Sequence, residues 1–457
     1  MHGMTMDPID KKQTGNGKMN TRKTLTMLAA ASGLACTATA QAATTITIAT
    51  VNNSDMIVME KLSSHFETEN PDIKLKWVTL EENVLRQRVT TDIATHSGQL
   101  DLITVGIYEV PIWGKLGWLS PITDIPASYQ VDDLLKPIRN ALTINGELNA
   151  LPFYGESTFT IYRTDLFKKA QLSMPEHPTW EQIAGLASKL NDPAHGVYGI
   201  CLRGKPGWGE NMGTIGDMAN SFGGRYFDMN WNAQFTSQPW KQAVSFYVKL
   251  LKDAGPPGVV SNGYNETLAL FASGKCAMWV DATVSASFLA DPAQSKVVGR
   301  VGFAPTPYAT TTTGSHWLWS WTLAVPKTSR KAAAAKKFAI WATSPAYIAL
   351  VAKTYGWGAV PPGTRTSIYD NPEYLKAAPY AQAVLQAMQT ADPTHPVVEP
   401  VPYTGISYVT IPEWQDIGTD VGQQIAAALS GQEDVDAALK QAQEDTTRAM
   451  TQGGYLR

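Results

Sequence analysis

The chain has 457 residues, 44% hydrophobic and 17% charged, with 37 Lys and Arg against 40 Asp and Glu. That length suits two or three domains, each able to bury a core, and the composition excludes a disordered chain and a polytopic membrane protein. The slightly acidic balance excludes nucleic acid as the expected partner.

At the N-terminus, Lys11, Lys12, Lys18, Arg22 and Lys23 precede an apolar run from Leu25 to Ala35, which leads to the small-residue site Ala40-Gln41-Ala42. This is the pattern of a secretory signal peptide, too short to span a bilayer comfortably. Residues 1–43 are therefore read as signal peptide and upstream extension, with Met19 as an alternative start, and a periplasmic location is expected. Lipid anchoring at Cys36 is disfavoured because Gly33-Leu34-Ala35 lacks leucine three places before the cysteine. Beyond this segment stand 32 basic and 38 acidic residues, and two cysteines, Cys201 and Cys276. In an exported chain these form either a disulfide or two buried free thiols.

The elements then follow in order. Alternation over Thr45–Ala49 marks a strand, and Val58, Leu62 and Phe66 line a helix that stops at Asn70-Pro71-Asp72. Ile73, Leu75 and Trp77 mark a second strand, Val84, Leu85, Val89 and Ile93 a second helix, and Asp101–Val105 a third, buried strand. This βαβαβ pattern implies an open, mainly parallel sheet. Ligands of such sheets bind beyond the carboxyl ends of the strands. Those ends carry Asn52 and Asn53, Glu81 and Glu82, and Gly106 to Glu109, including Tyr108. No turn carries a nucleotide-binding glycine pattern, so no cofactor is expected.

The stretch Leu148–Phe167 reads as a passage from one domain to the next. Pro152 and Gly155 interrupt it, Phe159 and Ile161 alternate as a strand, and Glu156 stands beside Tyr154 in the interruption. A helix over Trp180–Leu190, a strand over Val197–Leu202, a glycine-rich segment from Gly204 to Asn211, and helices near Ala243–Leu251 and Thr267–Ser273 come next. A strand, Cys276–Val280, then ends at Asp281. Trp317, Trp319 and Trp321 lead into Thr322–Pro326 and an alanine-rich helix to Ala342. Around Trp357 and Arg365 the chain crosses again, and helices over Asp416–Leu429 and Val435–Met450 close it.

Aromatic faces bind the CH faces of sugars and polyols, while carboxylates and amides take the hydroxyls. The candidate rings are Trp208, Trp279, Trp317, Trp319, Trp357 and Trp414, with Trp77, Trp180, Trp240 and Trp341 assigned to the core. The candidate polar groups are Asn53, Glu109, Glu156, Asn211, Asp281 and Arg365. Arg86 and Arg88 are read as a solvated helix face. The seven histidines are scattered without metal spacing. A second reading is a secreted glycoside hydrolase or lyase using Glu156 with Asp281 or Glu109, which would need two carboxyls about 5 to 10 Å apart.

The segments LDLITVGIYEVPIWGKLGWLSPI, LPFYGESTFTIYRTDLF, GKCAMWVDAT, SWTLAVP and IPEW followed by SGQEDVDAALKQAQ resemble extracellular solute-binding proteins of the family that includes maltose-binding proteins. EENVLRQRVTTDIA and GIYEVPIWGKLGWL are most similar to its mannitol and sorbitol branch. The resemblance implies an α/β, two-lobe periplasmic-binding-protein fold, each lobe a mainly parallel sheet flanked by helices, with hinge crossings between lobes. It implies lobes at 44–153 with 322–360 and at 154–321 with 361–457. It further implies a polyol ligand, permease subunits of an ABC importer as partners, a monomer, Glu156 as hinge-side hydroxyl acceptor, Tyr108 and Glu109 at the first-lobe contacts, and Trp279, Asp281 and Trp414 in the second lobe's wall.

Overall fold

The structure, a computed structural model, describes residues 43–456, so the expected signal peptide lies almost wholly outside the described residues. Strand β1, Thr44–Val51, runs into helix α1, Ser54–Glu69, whose first turn is capped by Asn53: its Oδ1 accepts the Met56 N–H at 2.9 Å. Strand β2, Ile73–Leu80, helix α2, Glu82–Ala94, and strand β3, Leu102–Gly106, follow. β1 pairs in parallel with both β2 and β3, as the βαβαβ pattern requires.

After a short helix α3, Glu109–Lys115, and a hairpin of β4, Thr143–Ile144, and β5, Glu147–Leu148, strand β6, Leu151–Glu156, joins the same sheet. The next strand, β7, Thr158–Arg163, belongs to another sheet, so Ser157 alone spans the first crossing. Pro152 and Gly155 do not interrupt a strand; they lie within β6, which is at the sheet edge, where a missing N–H is tolerated. Strands β8, Met278–Ala282, and β9, Val301–Ala304, flank β7. Strand β10, Trp319–Ala324, then returns to the first sheet, giving the order β2-β1-β3-β10-β6. β10 is antiparallel to both β3 and β6.

The second sheet differs from the parallel one expected. Its three strands, β8-β7-β9, pair antiparallel. The helical connection between β7 and β8 is long enough for either strand direction, so the alternation of strands and helices does not fix the pairing here. The strand expected over Val197–Leu202 makes only isolated bridges: Val197 antiparallel to Asp192, and Tyr198 to Cys276 and Cys201 to Trp279 in parallel. There Cys201 and Cys276 are joined by a disulfide, with Cα atoms 5.9 Å apart, which decides between the two readings of these cysteines.

Residues 364–365 pack back on the first lobe: Leu135 N–H donates to the Thr364 carbonyl at 2.8 Å, and Arg365 bridges Leu134. The C-terminal helices, Trp414–Ser430 and Val435–Gln452, pack on each other and on helix Gln238–Ala254 of the second lobe. Trp180 and Trp240 are fully buried, as expected of core rings. Among the described residues no helix is long and apolar enough to cross a membrane.

Candidate functional site

The carboxyl ends of β1 and β2, the end of β6, the start of β10 and the glycine-rich segment of the second lobe meet around one cavity. It holds about 730 Å³ of space free of protein atoms, part of it open to solvent, and its wall includes Asn53, Glu82, Arg86, Tyr154, Glu156, Arg203, Trp208, Glu210, Tyr264, Trp317, Trp319 and Trp321. Both lobes contribute, and most of these side chains are buried. The lobes are therefore closed on the cavity.

On the first-lobe side the central group is Arg86, one turn into α2. Its Nε and Nη2 donate to Glu82 Oε1 at 3.2 and 2.9 Å, and its Nη1 donates to Glu109. The guanidinium lies over three indoles, with Cζ 3.9 Å from the Trp208 centroid, 4.9 Å from Trp321 and 5.3 Å from Trp319. Such stacking attracts a cation to the ring face. Gly106 makes room for this arrangement: a Cβ there would fall 2.1 Å from the Trp319 ring.

On the second-lobe side, Arg203 grips Asp281 as a fork, Nε donating to Oδ2 at 2.9 Å and Nη2 to Oδ1 at 2.5 Å. Its Nη1 donates to the Gly209 carbonyl at 2.7 Å, and its Cζ lies 5.0 Å from the Tyr264 centroid. Burial and nearby Glu82 outweigh Arg203 and Lys205 at Glu210, whose carboxyl is pushed up to about 7.

Glu156 lines the same cavity. Its carboxyl is buried, Oε2 has no hydrogen-bond partner, and no salt bridge joins it to a cation. Burial first, and then the neighbouring carboxylates, hold it well above the usual carboxylate range despite Arg203. Unpaired buried polar atoms are costly and call for a partner. The Tyr264 hydroxyl and Trp208 Nε1 are likewise buried without partners, while Tyr154 OH accepts from Asn53 Nδ2 at 2.8 Å. An acceptor, hydroxyls and flat rings at the edge of a charge-matched wall suit a neutral, hydroxylated ligand. Among the described residues no group of acidic, histidine or cysteine side chains is placed to hold a metal.

Of the residues expected at the site, Asn53, Tyr154, Glu156, Trp208, Trp317 and Trp319 line this cavity. The others do not, and each has a different task. Tyr108 donates its hydroxyl to the Ile411 carbonyl at 2.7 Å, and Glu109 holds Arg86. Asn211 ties the glycine-rich segment to Gly422, donating through Nδ2 at 2.8 Å. Trp279 is fully buried behind the wall, its Nε1 donating to Asp281 at 3.0 Å, and Asp281 holds Arg203. Trp357 Nε1 donates to Glu373 at 2.8 Å, away from the cavity. Arg365 donates to the Gln130 and Thr343 carbonyls and stacks on Tyr129. Trp414 packs against Tyr226 at 4.6 Å.

Sequence reasoning missed Arg203, Glu210, Tyr264 and Ser407, and it assigned Arg86 to a solvated face, whereas Arg86 is buried in the wall. The only local signal for Arg86 was its place one turn after Glu82; the three indoles that cover it come from distant parts of the chain. Arg203 stands two residues beyond Cys201, and Asp281 lies in β8, the strand that follows Cys276, but their meeting depends on the disulfide-linked pairing.

A family model for bacterial extracellular solute-binding protein matches residues 52–349. A mannitol-binding protein of Pseudomonas aeruginosa is 56% identical over 426 residues, covering 93% of this chain and 98% of its own. A solute-binding protein of an ABC transporter from Agrobacterium vitis S4, solved with bound D-mannitol, is 57% identical with a TM-score of 0.89, covering 90% of this chain and 99% of its own. A maltose-bound Thermotoga maritima protein, 21% identical, shares the fold with a TM-score of 0.76 over 89% of this chain and 99% of its own.

Proposed function

This chain belongs to the bacterial extracellular solute-binding protein family, and we propose that its cavity captures a linear polyol, a hexitol such as mannitol or sorbitol, by closure of the two lobes. The observation that carries the reading is the wall itself. Its cations are matched by carboxylates, and its one carboxylate without a counter-ion, Glu156, stands among aromatic rings and unpartnered hydroxyls. Relatives more than half identical over nearly the whole chain are described as mannitol-binding or hold D-mannitol.

The ligand touches both lobes and so favours the closed arrangement, which a membrane permease of an ABC importer then recognises. The protein works in the periplasm as a monomer, and no bond is broken. The hydrolase alternative loses its second carboxylate, because Asp281 is held by Arg203 and Glu109 by Arg86. For the lobes we take β6 through Glu156 and β10 from Trp319 as first-lobe strands, and we move the last crossing beyond Arg365.

Isothermal titration across hexitols, pentitols and disaccharides tests the reading, with glycosides incubated in parallel. Saturable binding of a hexitol with no product supports it. Turnover of a glycoside, or binding of disaccharides alone, overturns it.

A further inference from the structure

The two lobes also meet along one rim of this cavity, where Glu81, Glu82, Gly209 and Glu210 line its wall and Lys205 stands just behind it. On the first lobe this second contact is the entry to α2, Glu81-Glu82-Asn83; on the second it is the glycine-rich segment from Gly204 to Glu210. Lys205 Nζ lies 2.5 Å from Glu81 Oε1 across the gap and 3.7 Å from Glu210 Oε1 on its own lobe. Glu81 is free for this because its side chain caps no backbone N–H of α2.

The glycines of the segment make the approach sterically possible. A Cβ on Gly209 would fall 2.1 Å from Glu82 Oε1, and one on Gly207 would fall 3.0 Å from Asn83 Oδ1. Glu82 is held by Arg86, so it yields only by giving up that pair. Beside this seam, Asn265 Nδ2 donates to the Asn52 carbonyl at 3.2 Å, again across the lobes. Lys205 itself does not line the cavity.

We propose that the glycine-rich segment and the entry to α2 form an interlobe latch, in which Lys205 is a positioning residue that sets ligand affinity without touching ligand. A contact made only in the closed arrangement raises the closed fraction, and the apparent affinity scales with that fraction. The pair is partly exposed, which limits it to the range of surface ion pairs, about threefold in affinity. The glycine seat is a steric condition and weighs more. The inference rests on the polyol reading only for the choice of titrant.

The test is titration and stopped-flow binding of D-mannitol to the mature chain and to Lys205→Met, Lys205→Arg, Glu81→Gln, the Lys205→Met/Glu81→Gln double variant and Gly209→Ala. Lys205→Met is expected to weaken binding about threefold through faster dissociation, with the melting temperature of the unliganded protein unchanged. Lys205→Arg restores affinity. Glu81→Gln weakens binding in the wild-type background but adds less in the Lys205→Met background, as coupled partners do. Gly209→Ala weakens binding about tenfold while the protein remains folded. Wild-type affinity in Lys205→Met, or full additivity of the two single variants, overturns the latch. Should wild type fail to bind mannitol, the polyol reading falls. The latch is then judged by small-angle scattering: a larger radius of gyration for unliganded Lys205→Glu than for wild type supports it, and equal radii overturn it.

Discussion

Two buried arginines face the same cavity, yet they are built differently. Arg203 is complete within one lobe: Asp281, Glu210, the Gly209 carbonyl and the Tyr264 ring all come from the second lobe. Arg86 takes its carboxylates, Glu82 and Glu109, and two of its rings, Trp319 and Trp321, from the first lobe, but its nearest ring, Trp208, comes from the second. The Arg203 cluster therefore exists whether or not the lobes meet, and the Arg86 cage is finished only by closure. One is a fixed floor and the other responds to the closing motion.

That difference is broken most severely by Asp281→Asn, which leaves the Arg203 guanidinium buried without a counter-ion. A loss of about 3 kcal/mol in folding free energy is expected by urea titration of the unliganded protein. Trp208→Leu acts in the opposite sense: it removes the ring that the second lobe lays on Arg86, so polyol affinity should fall about tenfold. Its urea midpoint should move less than that of Asp281→Asn. If Trp208→Leu instead costs stability as heavily as Asp281→Asn, both clusters are structural and the comparison fails.

Glu156, on the same cavity wall, sharpens it further. Glu156→Gln keeps one acceptor and removes a buried carboxyl with no counter-ion, so hexitol affinity should weaken by about tenfold while folding stability is unchanged or higher. Unchanged affinity with a lowered melting temperature would give Glu156 a structural role.

A pH series has a smaller effect of definite sign. Burial raises the carboxyls of Asp55 and Glu210 to about 7 and that of Glu156 in the same direction. A carboxyl whose folded pKa is raised binds more protons in the native state, so stability falls as pH rises from the unfolded carboxylate range, about 4, through the raised folded value. The unliganded protein should melt higher at pH 5.5 than at pH 7.5, and Glu156→Gln should flatten that slope. The smallest effect belongs to Trp357→Phe, which removes a half-exposed hydrogen bond to Glu373 remote from the cavity. Hexitol affinity should stay within about twofold by titration.

The sequence by itself determined the parts whose signals are local. Alternation and helical spacing mark β1, α1, β2, α2 and β3, and the parallel pairing of the first three strands follows from their short connections. Residues 148–167 carry the passage between lobes, and Asn53, Tyr154, Glu156, Trp208, Trp317 and Trp319 stood out because polar groups and large rings beside strand ends are poor core residues. Only the tertiary structure decided the rest. Trp279, Asp281 and Trp414 have the same residue types and similar strand-end or helix-end positions, but they face the second lobe's interior. Arg86 reads as an ordinary surface position on a helix until Trp208, more than a hundred residues later, closes over it. Periodicity says which face of an element is apolar; it does not say which distant element will cover that face, and a buried arginine becomes tolerable only when carboxylates and rings from elsewhere arrive to pair it.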